Sequence, residues 1–510
     1  MVSEKETTKT VRAGIEDPVT GRESLEIGYT ISKTDAGRWI AENLIIDKQT
    51  KYNKKITNTQ NEDVSNLHSL ISTNGFLPVK EPLLRLPDLY YQQWESIMDE
   101  LPTLIKRKSV RNRIDGLDIL QTNRLNTESE WQRAYVILCF LSHSYIWGGD
   151  VPSEILPPCI TVPFLQVSDH LDLPPIATYA ALNLWNFSST GENFTDLDSL
   201  KALHTFSGTE DESWFYSLSV AVEAQGASII PLMLQATEAI KHKDYATVTH
   251  ALDALATCIR QLAHLLGRMS EKCDPMVFYH QIRPFLAGTK NMGAAGLPDG
   301  VFYDEGDGVG QWMHLRGGSN GQSSLIQFFD LILGIDHPST GSHHTSTRSS
   351  TPSKPTSREL SFHEEVRHYM PGPHRKFLSI VSRLDSIKDF VHSAPISPAQ
   401  QQLLQSYQGA TTAFGDFRQV HMQMVTRYII VPSRKSRPSS SSEVNLATAS
   451  LQANKGSTTE LTGTGGTELI PFLKTTRDDT YRAGLTVAPN DITLTNARID
   501  VDITHKELTC

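Results

Sequence analysis

In QQLLQSYQGATTAFGDFRQVHMQMVTRYIIVP, the residues Leu403, Leu404, Tyr407, Phe414, Phe417, Met424, Val425 and Tyr428 recur as one helical stripe. His421 falls on it seven residues after Phe414. An imidazole on an apolar face is either a core histidine bonded to a backbone carbonyl or a ligand. Arg418 lies one turn earlier on the same face, and a buried cation beside a neutral imidazole is costly unless an anion meets it. A haem would meet both demands, its iron taking the imidazole and a propionate the guanidinium.

A second arginine stands in DPMVFYHQIRPFLAG, where Phe278, Ile282 and Phe285 mark an apolar face. Arg283 could snorkel to water along it. Pointing inward, it would be a bidentate carboxylate clamp among aromatic rings, suited to an amino acid with a flat side chain. The third stretch is RGGSNGQSS, residues 316 to 324, ahead of LIQFFDLILG. Ser319 or Asn320 would cap the helix that follows and Gly334 would end it. The pair Gly317 and Gly318 would let a planar ligand and its co-substrate approach main chain, with amides and Ser319 as donors. GTGGT at 463 to 467 reads as a lid over the same place, or as a plain linker.

Other motifs carry less. RGGSNGQSS has no lysine after its glycines and so is no phosphate loop, and GDGVG at 306 to 310 is expected to lack the strand that a dinucleotide fingerprint needs. In HEEVRH the histidines at 363 and 368 point about 140° apart on a regular helix and cannot share a zinc from it. His343 and His344 lie in a Ser/Thr-rich run and are read as exposed.

The elements that must hold these groups are helical. Tyr245, Val248, Leu252, Leu255, Ile259, Leu262 and Leu266 form one stripe over 244 to 267, with similar stripes over 214 to 240, 321 to 334 and 401 to 430. Period-two runs are few. The fold class is therefore mainly α: a large helical bundle with a smaller, mostly helical N-terminal domain. Composition breaks suggest a polar extension over 1 to 66, a small domain over 67 to 205, and a large domain over 206 to 482. Mobile insertions are expected at 338 to 357 and 433 to 462, and a tail at 483 to 510.

With 510 residues, 39% apolar composition, a net charge of −10 and no basic stripe, neither nucleic acid nor an anionic membrane is expected as partner. The charged N-terminus lacks an apolar leader segment and no eighteen-residue apolar run occurs, so a cytoplasmic location is expected. Cys139, Cys159, Cys258, Cys273 and Cys510 are scattered and never in CxxC spacing, which argues against a disulfide framework and a zinc site.

Together, RGGSNGQSSLIQFFDLILGID, FRQVHMQMVTRYIIVP and GTGGTELIPFLKTTRDDT resemble the indoleamine 2,3-dioxygenases, in particular fungal ones. NGFLPV, LPDLY, SYIWGG, LPPCITVPFLQVS and LPPIATYAALNLWNF extend the likeness over about residues 67 to 482. The resemblance implies a helical haem-binding domain under a smaller N-terminal one. Its reaction would insert both atoms of O2 across the indole C2–C3 bond of L-tryptophan, giving N-formylkynurenine. That is the first step of the kynurenine pathway of tryptophan catabolism, which leads toward NAD biosynthesis. By motif, His421 matches the iron ligand of haem b and Arg418 the propionate arginine, with Asp330 near the proximal side. Arg283 matches the substrate-carboxylate arginine and Phe278 its aromatic neighbour. Phe215, Tyr216 and Ser219 match the distal pocket, where the serine lies near dioxygen. Tyr179 matches an indole-pocket tyrosine, Gly318 and Ser319 the loop over the haem edge, and Thr464 the lid threonine. An external reductant and a monomeric state are implied. Leu182, Asn183, Tyr279 and Asn320 depart from the pattern and would reshape the indole site. They motivate an alternative, a haem-binding paralogue with weak tryptophan turnover that senses O2 or indoles.

Overall fold

The computed structural model describes residues 64–337, 362–393, 397–435 and 469–485. Residues 1 to 63 of the extension expected over 1 to 66, the runs 338 to 361 and 436 to 468, the tail after 485, Thr464 and Cys510 lie outside the described residues, while Val64–Leu70 is a short helical turn.

The chain is mainly α. Helices α1 (Gln92–Lys106), α2 (Val110–Asp115) and α3 (Glu128–Trp147) lead to a short strand β1 (Ile155–Leu156) and helix α4 (Pro158–Leu171). A two-stranded antiparallel ribbon, β2 (Phe187–Ser189) with β3 (Leu200–Ala202), pairs Phe187 with Ala202. Helices α5 (Glu210–Ala227), α6 (Ile229–Ile240) and α7 (Tyr245–Gly267) follow. Strands β4 (Val301–Gly306) and β5 (Val309–Met313) complete a sheet of order β1-β4-β5. Helices α8 (Ser324–Ile332), α9 (Phe362–Arg367), α10 (Gly372–Val381), α11 (Ile387–His392), α12 (Pro398–Val425) and α13 (Leu469–Ala483) finish the described chain.

Local chemistry sets the helix starts. Thr209 accepts from the Glu212 amide at the head of α5, whose first turn carries Glu210, Asp211 and Glu212 against the positive end of the helix dipole. Ser397 and Gln400 form a reciprocal capping box at α12, with Pro398 in the first turn. The stripe read over α7 is real: Val248, Leu252, Leu255, Ile259, Leu262 and Leu266 are buried, and α7 packs against α12, α6 and α5. The apolar stretch Glu210–Ile240 is long enough to cross a membrane, yet 72% of its most apolar window is buried within the protein, so packing accounts for it.

Two readings are corrected. GDGVG does follow a strand, β4, but it turns back into the antiparallel β5 through Gly306, Asp307 and Gly308, all at positive φ, so it is a hairpin turn. The cap of α8 is Ser323, whose hydroxyl accepts from the Ile326 amide, while Ser319 caps only the short turn Asn320–Gln322. Gly334 ends α8 at φ +61°, as expected.

Candidate active site

One cavity of about 260 Å³ gathers most of the singled-out residues. Its wall includes Tyr179, Phe215, Tyr216, Ser219, Phe278, Arg283, Gly318, Ser319, Asp330, Arg418 and His421, along with Leu182, Asn183 and Asn320. Three segments of wider, π-type helix border it: Ala180–Leu184, Phe278–Ile282 and Thr426–Ile430. An extra residue in a helical turn re-aims the side chains after it, which is why such segments gather at sites.

His421 enters from the last turns of α12. Burial, with Arg418 beside it, lowers its pKa to about 4, so the imidazole is uncharged near neutrality. Neither ring nitrogen has a hydrogen-bond partner among the described residues, which removes the reading of a core histidine tied to a carbonyl. A neutral imidazole facing an apolar cavity is the donor that a haem iron takes, and on this ground the site fits one.

Arg418 is more fully partnered than the sequence suggests. Its Nη2 donates to both oxygens of Asp330 at 2.7 and 2.8 Å, and its Nη1 donates to the Thr476 carbonyl at 3.2 Å and to Thr480 Oγ1. The anion that meets this buried cation is a carboxylate of the protein, so no propionate is needed to neutralise it. Burial pushes the Asp330 carboxyl up, but the opposing effects of Arg418 and His337 prevail and hold it at about 2.

Behind Asp330 lies a group that sequence reading missed. His337 Nε2 is 3.2 Å from Asp330 and its Nδ1 is 3.3 Å from Asp479, while the His337 ring stacks on His363 with centroids 4.3 Å apart and planes 20° from parallel. Asp330, His337 and His363 are close enough to suggest a metal centre. The stack argues otherwise, because a bound ion lies in the plane of each imidazole and nearly parallel stacked planes do not meet at one point. We read the group as a charge network, with no signal in local sequence beyond the residue types.

Arg283 settles inward. Its side chain is 1% exposed, on a tight turn after the π-type segment, so it does not snorkel, and burial lowers its pKa to about 10. The Phe278 ring meets Phe215 edge-on at 5.0 Å and Tyr428 at 5.7 Å. Ser219 and Tyr216 come from α5 and both line the cavity, the Tyr216 hydroxyl being tied back to Glu212 at 2.9 Å.

The glycine pair divides in purpose. A Cβ on Gly317 would sit 2.1 Å from the Leu286 carbonyl and 2.5 Å from the Gly288 nitrogen, so this glycine makes room for the protein's own main chain, against expectation. Gly318 does line the cavity, where a Cβ would strike Leu182 at 2.5 Å. The loop is tied from outside too: Arg316 donates to Glu365 of α9 at 2.5 Å and Lys290 reaches the same carboxylate at 2.6 Å, which gives HEEVRH a structural task.

An uncharged histidine and a buried arginine meet at one cavity in a mainly helical protein, an arrangement compatible with a haem site. A profile of the family described as indoleamine 2,3-dioxygenase matches residues 66–483. An indoleamine 2,3-dioxygenase of Aspergillus nanangensis is 38% identical over 424 residues, covering 82% of this chain and 96% of that one. One from Saccharomyces cerevisiae is 38% identical over 425 residues, covering 80% and 90%. A 6-hydroxytryptophan 2,3-dioxygenase of Fusarium equiseti is 37% identical over 408 residues, covering 80% and 94%. The chain belongs to the indoleamine 2,3-dioxygenase family, whose members are haem-dependent dioxygenases of tryptophan-like substrates.

Proposed function

We propose that the chain holds haem b through His421 and converts L-tryptophan and O2 to N-formylkynurenine. The observation that carries this is the uncharged His421 imidazole on the cavity wall, without a protein partner among the described residues. Bound there in the ferrous state, kept so by an external reductant, haem supplies the dioxygen chemistry that side chains lack. The work of the protein is positional. Arg283 is suited to clamp the substrate carboxylate in two hydrogen bonds, and the Phe215 and Phe278 rings to hold the indole plane. Fixing both ends sets indole C2 and C3 in one geometry toward dioxygen and replaces a chance encounter with a prepared one. Ser219 is a weak proton donor, and the reading asks no proton transfer of it. Arg418 and Asp330 would brace the haem edge as a pair, Gly318 and Ser319 would lie against it, and Thr464 is the proposed lid contact. The test is the haem-loaded, reduced full chain with L-tryptophan and O2, followed by the absorbance of N-formylkynurenine. Product supports the proposal; a Soret band without product from any indole amino acid would leave the ligand-sensing alternative.

A second reading, a hydroxylated tryptophan as preferred substrate, has its own support. Asn183 lines the cavity and donates from Nδ2 to the Tyr179 carbonyl at 3.1 Å, while its buried Oδ1 has no partner. A buried acceptor left unpaired costs about 1–3 kcal/mol, which a substrate hydroxyl could recover. The Fusarium relative is described as acting on 6-hydroxytryptophan. Comparing kcat/KM for L-tryptophan and 6-hydroxy-L-tryptophan, in the native chain and in Asn183→Val, decides between them. A preference for the hydroxylated substrate that vanishes in the variant selects the second reading.

A further inference from the structure

Glu223 lies one helical turn after Ser219 on α5, is 1% exposed, and does not itself line the cavity. Two other segments converge on it. The Tyr179 hydroxyl, from the segment leading into the indole-side wall, donates to Glu223 Oε1 at 3.1 Å. The Ser323 hydroxyl, from the end of RGGSNGQSS, donates to the same oxygen at 2.6 Å. Gln322 closes the triangle: it accepts from the Tyr179 amide at 2.8 Å and donates to the Gly317 carbonyl at 2.9 Å. Glu223 Oε2 is buried with no partner.

A carboxylate in this place would spread its one negative charge over two oxygens with donors on one of them only. A carboxylic acid would need far less solvation. Among the described residues no lysine, arginine or histidine lies within ion-pair distance of Glu223. Helices α6 and α7 and strand β3, packed against α5, bring no charged group into contact with it. The titratable group that faces it is the Tyr179 phenol, alongside the hydroxyls of Ser323 and, through Tyr179, Ser219.

We propose that Glu223 is a positioning residue for the indole pocket: as a neutral acid it joins Tyr179 to the glycine loop through Ser323, and loss of its proton loosens both walls. The inference rests on the dioxygenase reading for what the pocket holds, but not for the titration itself. Burial raises the Glu223 pKa from 4.5 to about 7, with the Ser323 and Tyr179 hydrogen bonds pulling the other way. The sign follows. A folded value above the unfolded one gives stability that is full below 4.5 and is lost as pH rises to about 7, above which nothing further changes. The wall geometry, which depends on the folded protein alone, changes across the folded value.

Glu223→Gln keeps an acceptor for both hydroxyls and mimics the neutral acid at every pH. Thermal unfolding of the full chain and its variant is measured from pH 5 to 8.5, and L-tryptophan affinity of the haem-loaded proteins from pH 6 to 8.5. The native chain should lose melting temperature relative to the variant up to about pH 7, then run parallel to it. Its tryptophan affinity should fall about tenfold by one pH unit above the titration, while that of the variant stays level. A melting difference that ignores pH overturns the proposal whatever the chain binds. A pH-dependent melting difference with parallel affinity profiles overturns the positioning role. If neither protein binds L-tryptophan at any pH, the substrate assignment fails and the melting data still decide the state of Glu223.

Discussion

Replacing Asp330 by asparagine keeps the shape of the side chain and removes the charge that both neutralises Arg418 and faces His337. Arg418 and Asp330 are each nearly buried, with side chains 9% and 8% exposed, so water does little to compensate. Breaking a buried pair from one side costs about 3–5 kcal/mol because the remaining charge is left uncompensated. The carboxyl itself gives a second, rougher measure: a fall from 3.8 to about 2 corresponds to about 2 kcal/mol of preference for the charged form. The two bracket an expected loss of about 2–5 kcal/mol at pH 7. Since the folded value is the lower one, this advantage over asparagine is present above about pH 4 and fades as pH falls toward 2. Urea unfolding of the full chain reads the loss as a lower midpoint at unchanged slope. Arg418→Met combined with Asp330→Asn should recover part of it, since no buried charge then remains unpaired. A loss under about 1 kcal/mol in the single variant would mean that Thr476 and Thr480 suffice for the guanidinium, and would refute the ion pair as the brace of this wall.

Arg283→Ala should raise KM strongly and lower kcat as well, because a misplaced indole reacts poorly; unchanged kinetics would place this arginine outside the substrate site. Ser219→Ala should reduce kcat only a fewfold, and complete loss of turnover would assign the hydroxyl a proton-transfer task. Gly317→Ala should destabilise by about 1–3 kcal/mol, since the contact at 2.1 Å is with main chain that cannot swing aside. Melting of that variant within a degree of the native chain would show that the crossing of residues 288 and 317 can open.

The long helices were legible because a 3.6-residue stripe repeats many times over α7 and α12, so each position is confirmed by several others. His421 was legible for the same reason, as a polar exception on a settled face. Arg283 was legible as a candidate but its direction was left open, because its segment is π-type and then tightly turned, and a regular period misplaces side chains there. The cap of α8 was read a few residues early because SNGQSS offers several capping types and local sequence does not rank them. Gly317 looked like ligand space because nothing near it in sequence names Gly288 as its neighbour. The His337–Asp479 contact joins residues 142 apart, beyond any motif. Glu223 did leave a trace, as a lone acid in the apolar run SLSVAVEA, but only its partners from two other segments give that trace a meaning.

The most direct measurement is the Soret spectrum of the full chain and of His421→Ala after loading with haem b. The native protein should show a full band, with the variant losing it and regaining part of it when imidazole is added. An undiminished band in the variant, unaffected by imidazole, would contradict the assignment of iron to this side chain.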